Sequence, residues 1–300
     1  MDLRIPRWCK FNIRNVFTYR IVSAPVAVLG SLFISFVFVA SLHVWKFAGY
    51  KDFNRDEEGT IQRRFVSAFF SCLCSALLLR FLAQSVETGE PGLSLLELLG
   101  FRSEFMASAC VNCVSLTAAL FIGPLVQHGF SYLRGYQPFL TTRGGFWVIT
   151  RNLILAPITE EFVFRACLIR LWVGASLPML VIILCSPLCF ALSHTHHFVE
   201  HVRRTRSKKQ ALLQVFYTTL FGIYSNFLLI RTGSTLAVIL AHTFCNQQGF
   251  PDVSFFVDSD DVLHAHRKWL GGVYLLGIAA FATLIGPLTA GFPSTFRATL

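Results

Sequence analysis

The sequence predicts an all-α fold, a polytopic membrane protein of about eight transmembrane helices around an intramembrane catalytic cavity, and three observations carry that prediction. The chain has 300 residues, of which 54% are hydrophobic and 14% charged, with 31 phenylalanines, a composition too apolar for a soluble domain of this length. Apolar windows recur at 21–45, 65–84, 106–127, 146–172, 176–193, 211–230, 234–250 and 269–290, each close to the roughly 20 residues that cross hydrocarbon as a helix. Ionisable groups cluster inside the windows of the second half, where a charge costs at least about 2.5 kcal/mol unless it is paired or faces a wet cavity.

The first window starts near Ile21 and is long enough for a signal anchor, so no cleavable signal peptide is expected. The windows at 106–127 and 65–84 carry most of the closely spaced cysteines. Cys110-x-x-Cys113 has redox or zinc spacing, but it sits in a span beside Ser108, Ser115 and Thr117 with no second ligand pair, and reads as small packing residues. The windows at 146–172 and 234–250 hold polar residues and are expected to be tilted, broken or partly inserted, with seven spans as the alternative count. One integral membrane domain covers 1–300. Residues 1–140 supply ordinary spans, 145–255 the catalytic core, and 256–300 the last loop and C-terminal span.

Net charge is +10, from 26 Lys and Arg against 16 Asp and Glu. Arg203, Arg204, Arg206, Lys208 and Lys209 form a basic loop that the positive-inside rule places in the cytosol, and the first loop, with Lys51, Arg55, Arg63 and Arg64, falls on the same side. Glu87, Glu90, Glu97 and Glu104 mark the opposite face. The N-terminal Arg4, Arg7, Lys10, Arg14 and Arg20 disagree with this scheme, so the first segment is not a simple span or the count is off by one. The 203–209 run is best suited to anchoring on anionic headgroups.

Polar groups converge on three stretches. The first is Thr159-Glu-Glu-Phe-Val-Phe-Arg165. Glu161 and Arg165 lie four apart on one helical face and form the economical buried ion pair, which leaves Glu160, rotated by about 100 degrees, free as a candidate base. The alternative is that both carboxylates merely neutralise Arg165. Pro157, just upstream, frees a backbone carbonyl, which membranes tolerate only beside protein or a water-lined cavity. The second stretch is Phe190-Ala-Leu-Ser-His194, where the same spacing lets Phe190 wall a pocket for the His194 imidazole; His196 and His197 follow at the span boundary. The third is His242-Thr-Phe-Cys-Asn246, with an imidazole and an amide donor on one face.

Together these groups suit peptide hydrolysis without a covalent intermediate. A glutamate and a histidine activate water, while a histidine and an asparagine hold the developing oxyanion. A zinc triad of Glu160, His194 and His242 is conceivable, but His-Glu-x-x-His is absent, and neither a metal nor another cofactor is expected. Cys167 and Cys245 lack a basic environment that would make either a thiolate nucleophile. The competing class is a non-catalytic scaffold or transporter whose buried polar groups line a pathway.

The motifs Glu-Glu-x-x-x-Arg, Phe-x-x-x-His and His-x-x-x-Asn, in that order, resemble the CAAX protease and bacteriocin-processing family of membrane endopeptidases. The flanks Pro157-Ile-Thr-Glu-Glu-Phe-Val-Phe-Arg-Ala, Phe190-Ala-Leu-Ser-His-Thr-His-His, Ile230-Arg-Thr-Gly and Ala241-His-Thr-Phe-Cys-Asn-Gln-Gln-Gly-Phe-Pro resemble its eukaryotic type II branch, and the likeness spans about 145–255. The resemblance implies an endoplasmic reticulum enzyme that cuts after the prenylated cysteine of a C-terminal Cys-a-a-X sequence. Its substrates would include Ras-like small GTPases, and its partners would be these proteins and membrane lipid, not nucleic acid. It places water activation on Glu160 and His194, the oxyanion pair on His242 and Asn246, and support on Glu161 and Arg165. A bacterial-type protease of unprenylated membrane peptides is the alternative within the same fold.

Overall fold

A computed structural model describes residues 23–50, 54–82, 94–102, 104–136, 144–193 and 208–296. Among them all regular structure is helical. His194, His196, His197, the N-terminal basic residues and Arg203, Arg204 and Arg206 lie outside the described residues.

Helix α1 spans Ala24–Ser41, with Ser23 extended before it and proline in its first turn, where the missing N–H costs nothing. Helix α2 spans Glu58–Leu82 and packs along α1. A short α3, Leu95–Leu98, is closed by a capping box in which the Ser94 hydroxyl accepts from the Glu97 N–H and the Glu97 carboxylate accepts from the Ser94 N–H. Helices α4 (Met106–Leu120) and α5 (Ile122–Leu133) bend by 69° at their junction.

Next comes one interrupted helix. It runs through α6 (Phe146–Thr150), a π-helical turn (Arg151–Leu155), α7 (Ala156–Glu161), a second π-helical turn (Phe162–Cys167) and α8 (Leu168–Gly174). Helices α9 (Met179–Cys185) and α10 (Pro187–Ser193) follow, then α11 (Lys208–Thr232), α12 (Thr235–Gln248) and α13 (Arg267–Leu288). The turn between α11 and α12 depends on Gly233, whose φ of +69° is left-handed and whose α-carbon faces Ser294 so closely that a Cβ would lie 2.9 Å from the Ser294 Cα. Ser234 then caps α12, its hydroxyl accepting from the Ala237 N–H.

Within the described residues, each of the eight apolar windows of the sequence thus contains a helix. Four of these helices are long and apolar enough to cross a membrane, or five if the bent α4–α5 pair is one span. The others fall short for visible reasons. Helix α12 has 14 residues, or about 21 Å of rise, against a hydrocarbon thickness near 30 Å. The interrupted helix carries Arg151, Glu160, Glu161, Arg165 and Arg170 among its apolar residues. The window at 146–172 is interrupted by two π-helical turns, as a broken segment would be, and the window at 234–250 holds one short continuous helix.

The core gathers around α8 and its preceding π turn. Val163, Ala166, Cys167, Leu168, Ile169 and Leu171 are fully buried, and Arg165 and Arg170 are buried among them. Helices α1 and α2 pack on one side of the interrupted helix and α12 on another; α12 also packs against α4, and α13 covers α4 and α5. Phenylalanines such as Phe36, Phe69, Phe70 and Phe81 point outward, forming the apolar exterior that a membrane solvates. Close crossing of α5 and α13 uses Gly123, where a Cβ would meet Tyr274 at 2.5 Å, and this kind of small-residue contact is how helices associate when lipid gives no hydrophobic drive.

Candidate active site

The site is built where α7 crosses α12. Pro157 has no N–H, so the carbonyls that would bond to it, Leu153 in α register and Asn152 in π register, lose their donor. Helix α12 supplies replacements: the Thr243 hydroxyl donates to the Leu153 carbonyl at 2.8 Å, and the Asn246 amide donates to the Asn152 carbonyl at 2.9 Å. The sequence-level expectation of an opened helix at Pro157 is met, and the opened turn is what docks α12. This contact brings His242 to the two glutamates.

The glutamates are unequal. Glu161 is fully buried; its Oε2 lies 3.1 Å from the Arg165 Nε across one helical turn, as the four-residue spacing predicts, and its Oε1 lies 2.6 Å from the His242 Nδ1. Arg165 is 1% exposed, and Phe190 and Phe221 stand beside its guanidinium, their ring centroids 4.2 and 5.7 Å from its central carbon. A cation between aromatic faces in a dry site gains from each ring quadrupole, which offsets part of the lost hydration. Glu160, by contrast, keeps 19% of its side chain exposed and faces His242 from the other side, its Oε2 4.0 Å from Nε2.

Glu161 therefore fixes the histidine. A carboxylate paired with arginine can only accept, so the His242 Nδ1 carries a proton and its Nε2 is turned toward Glu160. Phe221 packs on the ring at 4.6 Å and holds the imidazole plane. Spacing along the interrupted helix revealed the Glu161–Arg165 pair but not the His242 bond, because residues 81 positions apart meet only after folding. Asn246, four residues on, is exposed at the edge of the same crossing. One of its two amide hydrogens is used on the Asn152 carbonyl, and the other remains for a ligand.

Phe190 is buried against the Arg165 guanidinium and edge-on to Phe164; the His194 imidazole that it was expected to face lies outside the described residues. The surroundings of Glu160 are not confined to the second half of the chain. A cavity of about 150 Å³ begins at Glu160 and is walled largely by the first half, with Phe38 and Leu42 from α1 and its end and Ile61, Arg64, Phe65 and Ala68 from α2. Arg151 and Asn152 complete its polar lining with His43 and Arg55. Nothing in the local pattern of α1 or α2 marked these positions, since their role comes from packing against α7. Among the described residues no group of three His, Cys, Asp or Glu side chains can hold a metal ion, and Cys110 and Cys113 are free thiols in α4.

Known proteins are similar to this sequence over most of its length. Residues 142–247, which include both glutamates, Arg165, His242 and Asn246, match the family described as Type II CAAX prenyl endopeptidase Rce1-like. The chain is 34% identical to the CAAX prenyl protease 2 of Homo sapiens over 278 residues, covering 88% of this chain and 81% of that protein. It is 33% identical to the CAAX prenyl protease 2 of Arabidopsis thaliana, covering 76% and 78%, and 31% identical to that of Caenorhabditis elegans, covering 77% and 87%. No solved structure matches. With this likeness covering 88% of the chain and the family match taking in the α7–α12 crossing, the chain belongs to the Rce1-like family of type II CAAX prenyl endopeptidases.

Proposed function

We propose that this protein removes the aaX tripeptide from prenylated Cys-a-a-X proteins, Ras-like small GTPases among them, at the endoplasmic reticulum membrane. Glu160 and His194 activate the attacking water, His242 and Asn246 stabilise the oxyanion, and Glu161 and Arg165 hold His242 in place. The observation that carries this proposal is the division of labour between adjacent carboxylates. Glu161 has both oxygens committed, to Arg165 and to His242, whereas Glu160 stands on a cavity with room for water. A general base must reach its proton through a positioned, accessible atom, and Glu160 has that access.

His242 donates to an oxyanion through Nε2 when that nitrogen carries a proton as well as Nδ1, and the free amide hydrogen of Asn246 supplies the second donor. Removing an oxyanion donor costs about 10²–10³ in kcat. Asn246→Ala is therefore expected to lower kcat by about 100-fold. Thr243→Val, which removes only the neighbouring cap on Leu153, should leave kcat within a few-fold and cost about 1 kcal/mol of stability. Equal kcat losses in the two variants would reduce Asn246 to a helix cap.

Prenylation explains why such a site lies in a membrane. Each buried methylene contributes about 0.8 kcal/mol, so a prenylated tail partitions into the bilayer and meets the enzyme there. The cavity is walled by Arg55 and Arg64 of the first loop and its helix, on the face the positive-inside rule assigns to the cytosol, where such tails are presented. The deciding experiment compares a farnesylated Cys-a-a-X peptide with the unmodified peptide, both with strong chelator present. Turnover of the farnesylated peptide alone, undiminished by chelation, is expected. Equal turnover of both would favour a protease of unprenylated peptides, and loss restored by zinc would overturn the proposed water activation.

A further inference from the structure

The cavity at Glu160 has a second polar end that water activation does not use. Its lining carries three arginines, Arg55, Arg64 and Arg151, against the single carboxylate of Glu160, with His43 beside them. Asp56 stands beside them: its Oδ1 lies 2.9 Å from the Arg151 Nη1 and 3.8 Å from the Arg55 Nε. Arg151 is held in place from several sides, with Nη1 donating to the Arg55 carbonyl at 2.7 Å and Nε to the Asn152 side chain at 2.9 Å. Its Nη2 takes part in none of these contacts. A guanidinium fixed in this way loses little entropy when it binds an anion, and its planar fork matches a carboxylate.

We propose that Arg64 and Arg151 receive the free α-carboxylate of the substrate's last residue, while Glu160 at the other end of the cavity addresses the bond three residues upstream. This rests on the proposed tripeptide release. The dimensions agree: nine residues of helix separate Arg151 from Glu160, about 13 Å of rise, and both side chains reach into the space between them. Three extended residues span at most about 10–11 Å. Between the two polar ends the wall is apolar, with Phe38, Leu42, Ile61, Phe65 and Leu155, which suits the aliphatic pair of an a-a-X end. An arginine clamp at a set distance from the base measures the substrate from its terminus, and so fixes the product as a tripeptide.

The test uses the full-length protein in vesicles and one farnesylated Cys-a-a-X peptide made as the free acid and as the C-terminal amide. The amide keeps every atom of the scissile region but lacks the charge. For the unaltered enzyme, kcat/KM for the amide is expected to fall at least about ten-fold, chiefly through KM, which is the scale of a lost charge-assisted hydrogen bond. In Arg64→Gln the acid should fall to the level of the amide, so that the enzyme no longer distinguishes them, and Arg64→Lys should restore part of the difference. Equal cleavage of acid and amide by the unaltered enzyme overturns the clamp while leaving the proposed reaction intact. It does so even if the Arg64 variants fail to accumulate. Cleavage of neither peptide overturns the reaction and the clamp together. If the variants lose activity only on vesicles containing anionic lipid, with acid and amide still distinguished, the arginines bind headgroups and the clamp is wrong.

Discussion

Glu160→Gln is expected to abolish tripeptide release, lowering kcat by about 10²–10⁴-fold, the range lost when a general base is removed, while the protein still accumulates in membranes with an unchanged thermal midpoint. The structural half of this expectation follows from its position. Glu160 borders the cavity with 19% of its side chain exposed, and the His242 Nε2 lies 4.0 Å from its Oε2, beyond hydrogen-bond reach. The amide of glutamine is isosteric, so little folding energy is at stake. His194→Ala is expected to behave in the same way if it shares the water. Purified variants assayed on a farnesylated peptide, with melting followed in parallel, decide the point. Appreciable activity in Glu160→Gln sinks the assignment of the base, whatever the identity of the substrate.

The neighbouring residue should behave in the opposite manner. Removing one member of the Glu161–Arg165 pair leaves an uncompensated buried charge, and breaking such pairs costs about 3–5 kcal/mol, a large part of the total stability of a domain. Arg165→Met alone is therefore expected to deplete the folded protein. Glu161→Met together with Arg165→Met replaces both charges by apolar groups of similar volume, and such replacements are often neutral or stabilising. The double variant should recover in amount and melting temperature. It should nevertheless stay inactive, because His242 then has no acceptor at Nδ1 to set its tautomer and hold its ring. Recovery of stability without recovery of kcat is the signature of a positioning role. A fully active double variant would show that His242 needs no such support.

The helical character of every apolar window was legible in composition and hydropathy, and so was the split between Glu160 and Glu161. The split follows from a rule that acts within one turn: four-residue spacing puts Glu161 under Arg165 and turns Glu160 away. The opened turn at Pro157 was legible for the same reason, since a missing N–H is a property of one residue. What accepted the freed carbonyls was not. Thr243 and Asn246 reach Leu153 and Asn152 across more than 90 intervening positions or close to it, and hydropathy carries no record of which helix faces which.

The same divide separates the two ends of the site. Sequence alone determined that this is an α-helical membrane protein with a costly pair of carboxylates beside an arginine, because the helix repeat and the penalty for charge in hydrocarbon are local and general. Only the tertiary structure decided that Glu161 grips His242, that Phe190 packs on the Arg165 guanidinium, and that α1, α2 and the loop before α2 bring Phe38, Arg64 and Arg55 to the cavity at Glu160. Those contacts join residues far apart in the chain, and their partners are selected by how whole helices pack, which no short stretch of sequence encodes by itself.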